Sequence, residues 1–272
     1  MMTSDWTRRT FLRNGALTGL GGCLAGSVVA QVATPPAPTV VPEWFPRQDP
    51  ARVREMVGVS HGNFARVKEL VAASPALAKA NWDWGYGDWE SALGAASHSG
   101  KREIARFLID HGARPSLFSA TMLGQLAVVR AFVEASPGVQ RIPGPHGITL
   151  LAHAKAGGEE AREVLAYLES LGDADTRTAA QPLTPEEQRR YLGRYVFGPK
   201  PDESVVVSLD KPGLMIARGD QFGRVLTYLG DHTFHPAGAP AVRIRFTVDG
   251  ERATEVAVYD PDLLMRARRV AD

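Results

Sequence analysis

The fold of the N-terminal half is decided by the stretch SALGAASHSG, residues 91–100, and by its continuation EIARFLIDHGA, residues 103–113. The first stretch is rich in alanine and glycine, which are small enough for two helices to touch and for the chain to turn. In the second, Ile104, Phe107 and Leu108 recur at helical spacing and predict a buried face. The unit therefore predicts two short helices joined by a glycine turn.

Fainter copies of this unit cover residues 54–77, 118–133 and 147–172. The turn glycines of the four units, at positions 62, 100, 124 and 157, are separated by 38, 24 and 33 residues. The unit resembles an ankyrin repeat, whose standard length is about 33 residues. The resemblance implies an α-helical solenoid of about four irregular repeats, which recognises proteins through its loop tips and concave face.

Two departures from the ankyrin pattern are informative. Where that family has Thr-Pro-Leu-His, the chain has SALG at 91–94 and TLLA at 149–152. The usual histidine hydrogen-bond network between loops is therefore not expected, and the loops must be held rigid by other contacts. The domain is expected to span residues 49–178, with Asp49 capping its first helix and Pro50 in the first turn.

The last third of the chain changes character. Residues 183–187, LTPEE, form a helix start, with a capping threonine, a proline in the first turn and a glutamate at the third helical position. Short alternating stretches follow, separated by turn signals such as Asp249-Gly250. Their expected bounds are 204–209, 214–218, 224–229, 232–235, 242–248, 254–259 and 264–269. This pattern predicts an antiparallel meander.

Three motifs, YLGRY at 191–195, GDHTF at 230–234 and RRV at 268–270, resemble the small lipocalin-like β domain of many exported bacterial serine hydrolases. The resemblance implies a barrel-like domain over residues 183–272 that is filled by its own side chains or encloses a small ligand. No hydrolase domain precedes it here. We therefore predict an α+β multidomain protein, with an ankyrin-type helical solenoid followed by a small antiparallel β-barrel-like domain.

The N-terminus resembles a twin-arginine export signal, which pairs two arginines with a following Phe-Leu. The matching residues are Arg8, Arg9, Phe11 and Leu12. The resemblance implies a signal peptide over residues 1–33 and a periplasmic or otherwise exported protein, and residues 34–48, with five prolines, form a linker. Two alternatives remain open: a retained membrane anchor, and lipidation at Cys23, the only cysteine, after a lipobox-like Leu-Gly-Gly.

An aromatic loop precedes the clearest repeat and holds three of the five tryptophans. In an extended conformation Trp82, Trp84 and Tyr86 share one face. One interpretation is a binding loop whose rings and carboxylates hold a partner, a sugar or a cationic group. The alternative is that the rings pack beneath the loop. The candidate partner- or ligand-binding residues are Trp82, Asp83, Trp84, Tyr86, Asp88, Trp89, Glu90, His98 and His146.

Histidines occur near both long loops of the helical part. If these loops lie on one side of the stack, His98, His146 and His153 approach one another, but their spacing is not that of a metal site. We therefore predict no metal, no cofactor and no catalytic residue. Neither a nucleophile elbow, nor a zinc-protease motif, nor a phosphate loop occurs in the sequence, and a hydrolase is the least favoured alternative.

Charge is nearly balanced, with 31 basic and 30 acidic residues, so nucleic acid is not an expected partner. The sequence favours a non-catalytic protein–protein interaction module whose partner is another envelope or periplasmic protein. The alternative is a small-ligand binder, for sugars or cationic groups, that uses the aromatic loop 82–90 or the β domain. Contact with the membrane is expected only through the signal or a lipid anchor.

Overall fold

The computed structural model describes residues 41–175, 180–211, 213–219, 221 and 223–270. The predicted signal residues Arg8, Arg9, Phe11 and Leu12, and the candidate lipidation site Cys23, lie outside this part of the chain. Within it, no helix is both long enough and apolar enough to span a bilayer.

The first described half is built from four helix pairs. Their bounds are α1 (Pro50–Val59) with α2 (Phe64–Ala73), α3 (Ala92–His98) with α4 (Arg102–Asp110), α5 (Leu117–Met122) with α6 (Leu126–Ala135), and α7 (Leu150–Ala156) with α8 (Arg162–Leu171). The pairs pack in series, because α1 contacts α3, α3 contacts α5 and α5 contacts α7. The predicted start is confirmed: the Ala51 amide donates to Asp49 Oδ1 at 2.9 Å, and Pro50 opens α1.

Turn glycines allow the second and third helix pairs to approach the fourth closely. Gly100 and Gly124 have φ angles of +67° and +77°, which residues other than glycine rarely adopt. A Cβ atom at Gly100 would lie 2.4 Å from the carbonyl oxygen of Ala156, and one at Gly124 would lie 2.0 Å from that of Glu160. Both positions therefore require glycine for its conformation and for its lack of a side chain.

Two apolar cores fill the helical part. The first joins the α1–α2 and α3–α4 pairs, and it buries Ile104 and Leu108, as their spacing predicts. The second joins the last two pairs around Leu150 and Leu168. A short hairpin of β1 (Asn81–Asp83) and β2 (Trp89–Ser91) separates α2 from α3 and contains the predicted aromatic loop.

The second half is a closed antiparallel barrel. It begins with α9 (Pro185–Arg189), where Thr184 and Glu187 form the predicted capping box. The strands are β3 (Gly193–Val196), β4 (Ser204–Asp210), β5 (Gly213–Arg218), β6 (Arg224–Gly230), β7 (Thr233–Pro236), β8 (Arg243–Asp249), β9 (Arg252–Asp260) and β10 (Asp262–Arg269). Sequential strands pair, and β10 closes the barrel by pairing with β3. The predicted barrel-like fold is confirmed.

Aromatic rings from the predicted barrel motifs meet in its core. The ring of Tyr191 lies 4.9 Å from that of Phe234 and 5.0 Å from that of Phe246, measured between centroids. The hydroxyl of Tyr195 donates to the carbonyl oxygen of Tyr191 at 2.8 Å. Since Tyr191, Tyr195 and Phe234 are at most 1% exposed, this part of the barrel interior is filled by its own side chains.

Candidate metal centre

The aromatic loop does not present one row of rings. Residues 85–87 turn the chain, with φ angles of +110°, +58° and +75°, so the extended conformation is broken after Trp84. Trp82 and Trp84 pack against the helical core, whereas Tyr86 packs against the barrel core. The chain therefore does not adopt the extended conformation in which Trp82, Trp84 and Tyr86 would share one face, and the rings pack against the cores, as in the alternative interpretation. Trp89 is the exposed ring, at 64%.

Beside this loop, four side chains bring one ligand atom each to a common point. They are His61 from the turn after α1, Glu90 from β2, His98 at the end of α3, and His146 from the loop before α7. All four atoms lie within 4.8 Å of one another. The serial packing of the helix pairs causes this convergence, because it stacks turns that are far apart in sequence.

Glu90 lies at the centre of the cluster. Its Oε1 atom is 3.6 Å from His61 Nε2, 3.3 Å from His98 Nδ1 and 3.3 Å from His146 Nε2. Two ligands bound at about 2.1 Å to a tetrahedral zinc ion lie about 3.4 Å apart. The separations from Glu90 are therefore those of ligands around a metal ion.

The atoms that face this point lack ordinary partners. Glu90 is fully buried, and neither its Oε1 nor Nδ1 of His98 has a hydrogen-bond partner among the described residues. A buried carboxylate oxygen without a hydrogen bond is costly unless a cation neutralises it. The Glu90 carboxylate is therefore neutralised either by protonated His146, whose Nε2 lies 3.3 Å from Oε1, or by a metal ion bound among the imidazoles.

The other polar atoms of the ligands are fixed by neighbours. The indole N–H of Trp84 donates to Glu90 Oε2 at 2.7 Å, which leaves Oε1 facing the cluster. His61 Nδ1 lies 2.9 Å from the carbonyl oxygen of Gly58 and donates to it, which leaves Nε2 facing the cluster. Contacts of this kind orient metal ligands and set their tautomers.

His146 has the strongest such support. Its Nδ1 donates to Asp88 Oδ2 at 2.7 Å, and its backbone amide donates to Asp88 Oδ1 at 2.8 Å. Arg224, on barrel strand β6, forms a buried ion pair with the same carboxylate. A Cβ atom on Gly238 would lie 2.5 Å from Asp88 Cγ, so barrel backbone also closes over this carboxylate. The barrel therefore holds the carboxylate that orients His146.

Backbone strain also indicates that His146 lies at a functional site. His146 has a φ of +59°, in the left-handed region that few residues other than glycine adopt. Strained conformations of this kind persist where surrounding contacts determine them, and they cluster at functional sites. Here the two hydrogen bonds from His146 to Asp88 hold the strained residue.

The pKa values of His98 and His146, the two less exposed histidines of the cluster, shift in opposite directions. Burial lowers the pKa of His98 to about 4, although Glu90 acts in the opposite direction, so its imidazole is neutral near pH 7. Burial also lowers the pKa of His146, but the carboxylates of Asp88 and Glu90 outweigh it and the pKa rises to about 9. Burial raises the pKa of Asp88, but hydrogen bonds from His146 and Arg224 lower it to about 2. A proton on His146 thus occupies the position that a metal ion would take.

One side of the cluster is open. The side chains of His61 and His146 are 36% and 26% exposed, against 9% for His98. They line a cavity of about 390 Å³ together with Gly58 and Trp84. Four protein ligands complete a tetrahedral site, so a water molecule or small molecule entering from this side would bind as a fifth ligand.

The remaining predicted site residues have other positions. Asp83 Oδ1 accepts a hydrogen bond from the Gly85 amide at 2.8 Å and stabilises the turn. His153 approaches His98, with ring centroids 6.2 Å apart, but its Nδ1 donates to the Thr149 carbonyl and it contributes no ligand atom to the cluster. Sequence reasoning missed His61 and Arg224. His61 directly precedes the turn glycine Gly62 and His98 lies two residues before Gly100, and this closeness to the turns was the available signal.

No protein-family model matches the chain, and no curated protein matches it significantly.

Proposed function

We propose that the protein binds one divalent transition-metal ion through His61, Glu90, His98 and His146. The observation that carries this proposal is that the four ligand atoms lie within 4.8 Å of one another. Two of them, Glu90 Oε1 and His98 Nδ1, are buried and have no hydrogen-bond partner among the described residues. Three imidazoles and one carboxylate suit zinc, copper, iron or nickel, whereas calcium and magnesium prefer oxygen ligands. Zinc is the simplest match to the spacing around Glu90.

We infer that the ion has a role beyond structural support. Four protein ligands close a purely structural zinc site, but this cluster also borders a cavity of about 390 Å³, which leaves room for a fifth ligand beside the ion. A bound ion supplies Lewis acidity and lowers the pKa of a coordinated water. His61 and His146 line the cavity, so a molecule that entered it would lie beside the ion.

The test is metal titration of the full chain. After treatment with a chelator, Zn²⁺ binding is measured by calorimetry, and Co²⁺ binding by visible absorption, which reports coordination number. We expect one ion per chain and a Co²⁺ spectrum of four- or five-coordinate geometry. His98→Ala and His146→Ala should each abolish stoichiometric binding, because each removes one of four ligands.

His111→Ala is the matched control, since His111 caps α4 and lies outside the cluster. It should bind both metals as the unmodified chain does. Binding that is absent from the unmodified chain, or that survives both cluster substitutions, would overturn the proposal.

A second candidate function is partner binding by the helical part, which we propose is an ankyrin-type stack in an exported protein. Its support is the serial packing of helix pairs and the exposure of Trp89 beside the hairpin. Twin-arginine export suits a protein that folds around a metal before it crosses the membrane. We also propose that the barrel is related to the accessory β domains of exported hydrolases.

Affinity capture from envelope extract tests the second candidate. The full chain and a Trp89→Ala variant serve as baits, with Trp44→Ala as control, because Trp44 is also exposed but lies outside the hairpin. We expect one protein to be retained by the full chain and by the control and lost with Trp89→Ala. Equal retention by all three baits would exclude the hairpin as the contact.

A further inference from the structure

Trp84 contributes to the metal cluster without supplying a ligand atom. Its indole N–H donates to Glu90 Oε2 at 2.7 Å, and Glu90 is fully buried. The other carboxylate oxygen, Oε1, lies 3.3 Å from both His98 Nδ1 and His146 Nε2. One carboxylate oxygen therefore faces the ion site, while the other accepts the hydrogen bond from the indole.

This hydrogen bond limits the number of bonds that Glu90 makes to an ion. A carboxylate binds a metal through one oxygen or through both, and a bidentate carboxylate occupies two coordination positions. Turning Oε2 towards the ion would break a buried hydrogen bond, so Trp84 favours the monodentate form. The four side chains of the cluster then supply four ligand atoms and not five.

The cavity beside the cluster gives access to a fifth position. Its volume of about 390 Å³ equals that of about thirteen water molecules at about 30 Å³ each. Two of the four ligands, His61 and His146, line it together with Trp84. A molecule of a few atoms therefore fits beside the ion.

The charges around the ion site indicate which kind of molecule binds there. Asp88 accepts from His146 Nδ1 and pairs with Arg224, so the charges of Asp88 and Arg224 offset each other. Imidazoles bind metal as neutral ligands. Glu90 is therefore the one ligand whose negative charge offsets the two positive charges of the ion. The loaded site keeps one positive charge, which favours a small anion of one charge.

We propose that Trp84 is a positioning residue that holds Glu90 monodentate, so that the ion keeps a fifth coordination position for a small monoanion from the cavity. This inference rests on the proposed metal site and adds to it a ligand class and a residue that does not touch the ion. Without the indole N–H, Oε2 loses its donor, and binding of the ion through both oxygens would satisfy it.

The unmodified full chain loaded with Co²⁺ tests the ligand class. Azide and acetonitrile are both linear and bind through nitrogen, and they have the same number of heavy atoms, but only azide is charged. Each is titrated while the visible absorption of Co²⁺ is recorded. We expect azide to change the spectrum with saturation at one per ion, and acetonitrile to bind at least about tenfold more weakly. Equal affinities, or no response to azide, would overturn the ligand class.

Trp84→Phe and Trp82→Phe are a matched pair for the positioning role. Both remove an indole that packs against the same helical core. Trp82 lies opposite Glu90 in the β1–β2 register, but the hydrogen bond to Oε2 comes from Trp84. In Trp84→Phe we expect the visible absorption per Co²⁺ ion to fall about twofold, because the coordination number rises, and azide affinity to fall about tenfold. Trp82→Phe should leave each within about twofold.

The outcomes separate this inference from the proposed function. If the unmodified chain binds no Co²⁺, both fail. If it binds one ion but Trp84→Phe changes neither the spectrum nor azide affinity, or Trp82→Phe changes them equally, the positioning role of Trp84 alone is overturned.

X-ray absorption of the unmodified Co²⁺-loaded chain decides the binding mode of Glu90 even if a variant fails to fold, because the carboxylate carbon lies nearer the ion when both oxygens bind. We expect the longer distance of a monodentate carboxylate. A bidentate carboxylate in the unmodified chain would overturn the positioning role.

Discussion

Asp88 Oδ2 accepts a hydrogen bond of 2.7 Å from His146 Nδ1 and also accepts one from Arg224 of the barrel. One buried carboxylate therefore joins a candidate metal ligand in the helical part to a strand of the barrel. Residues Glu43–Asp272 form one compact unit, and this three-residue contact is part of what unites its two halves. The barrel thereby helps to orient the metal ligand.

Asp88→Asn tests this contact. The amide oxygen can still accept from His146, but the negative charge is lost and Arg224 becomes a buried cation without a counter-ion. We expect the dissociation constant for Zn²⁺ to rise about 10- to 100-fold. The free energy of unfolding of the metal-free chain should fall by about 3 kcal/mol, as measured by urea denaturation.

Asp83→Asn is the control for that variant, because Asp83 lies in the same hairpin and its carboxylate accepts a hydrogen bond from the Gly85 amide within the turn. It should leave Zn²⁺ affinity within about twofold. If Asp88→Asn lowered stability without changing Zn²⁺ affinity, Asp88 would support the fold and not the ligand.

Metal removal should lower thermal stability. An ion present at about 100 times its dissociation constant stabilises the folded state by about 2.7 kcal/mol. For a chain of this length, each kcal/mol shifts the melting temperature by about 2–4 °C. Differential scanning calorimetry should therefore show a melting temperature about 5–10 °C lower after chelation. In His98→Ala the metal-loaded and chelated samples should melt together, whatever the stability of the variant itself; a persisting difference would place the metal elsewhere.

Local signals in the sequence predicted the elements of the fold well. Asp49-Pro50 and Thr184-Pro185 predicted two helix starts correctly because capping and the fixed φ of proline act within one turn. Barrel closure was harder to predict, since β10 pairs with β3 and joins Arg269 to Tyr195, far apart in the sequence. A resemblance to barrel-like domains supplied that expectation; alternation alone predicts only a meander.

The candidate site was less predictable. Its ligand residues occupy positions 61, 90, 98 and 146, a spacing that matches no metal motif, and the sequence predicted no metal. The packing of the irregular helix pairs on one another determines which turns meet. The row of aromatic residues around Trp84 and Tyr86 was compatible with a binding loop or with rings packed beneath the loop, and in the structure both rings pack against cores. Local composition does not reveal what covers a loop.

Arg102 holds the turns between the helices rigid, in place of the histidine hydrogen-bond network that the ankyrin pattern would supply. Its Nη1 donates to the carbonyl oxygen of Leu123 at 3.1 Å, and its Nη2 donates to those of Met122 and Gly157 at 2.9 Å each. Arg102→Lys keeps the charge but cannot reach three carbonyls with one ammonium group. We expect it to lower the free energy of unfolding by about 2–4 kcal/mol in urea denaturation.

Arg106→Lys is the comparison for Arg102→Lys, because Arg106 is exposed and forms a surface ion pair with Glu160. It should change stability by less than about 0.5 kcal/mol. Equal effects of the two substitutions would show that the carbonyl contacts of Arg102 contribute nothing specific.

The barrel should lose stability at alkaline pH through Tyr195. Burial raises the pKa of Tyr195 to about 12 in the folded chain, although Arg269 acts in the opposite direction. Above about pH 10 the unfolded chain loses this proton while the folded chain keeps it, so the free energy of unfolding falls until the pH reaches about 12. The contribution of Tyr195 is therefore fully present below pH 10 and is lost between pH 10 and 12.

Tyr195→Phe separates the hydrogen bond of this residue from its ionisation. At pH 8 the variant should be less stable than the unmodified chain by about 1 kcal/mol, because the Tyr191 carbonyl loses its donor. Phenylalanine does not ionise, so the difference should shrink from pH 10 upward and reverse sign between about pH 10 and pH 11, where the ionisation penalty of Tyr195 exceeds about 1 kcal/mol. Urea denaturation of the two metal-free chains at pH 8, 10 and 11 measures this difference. A difference that stays constant across these values would mean that Tyr195 ionises as readily in the folded chain as in the unfolded one, and that its burial does not oppose the charge.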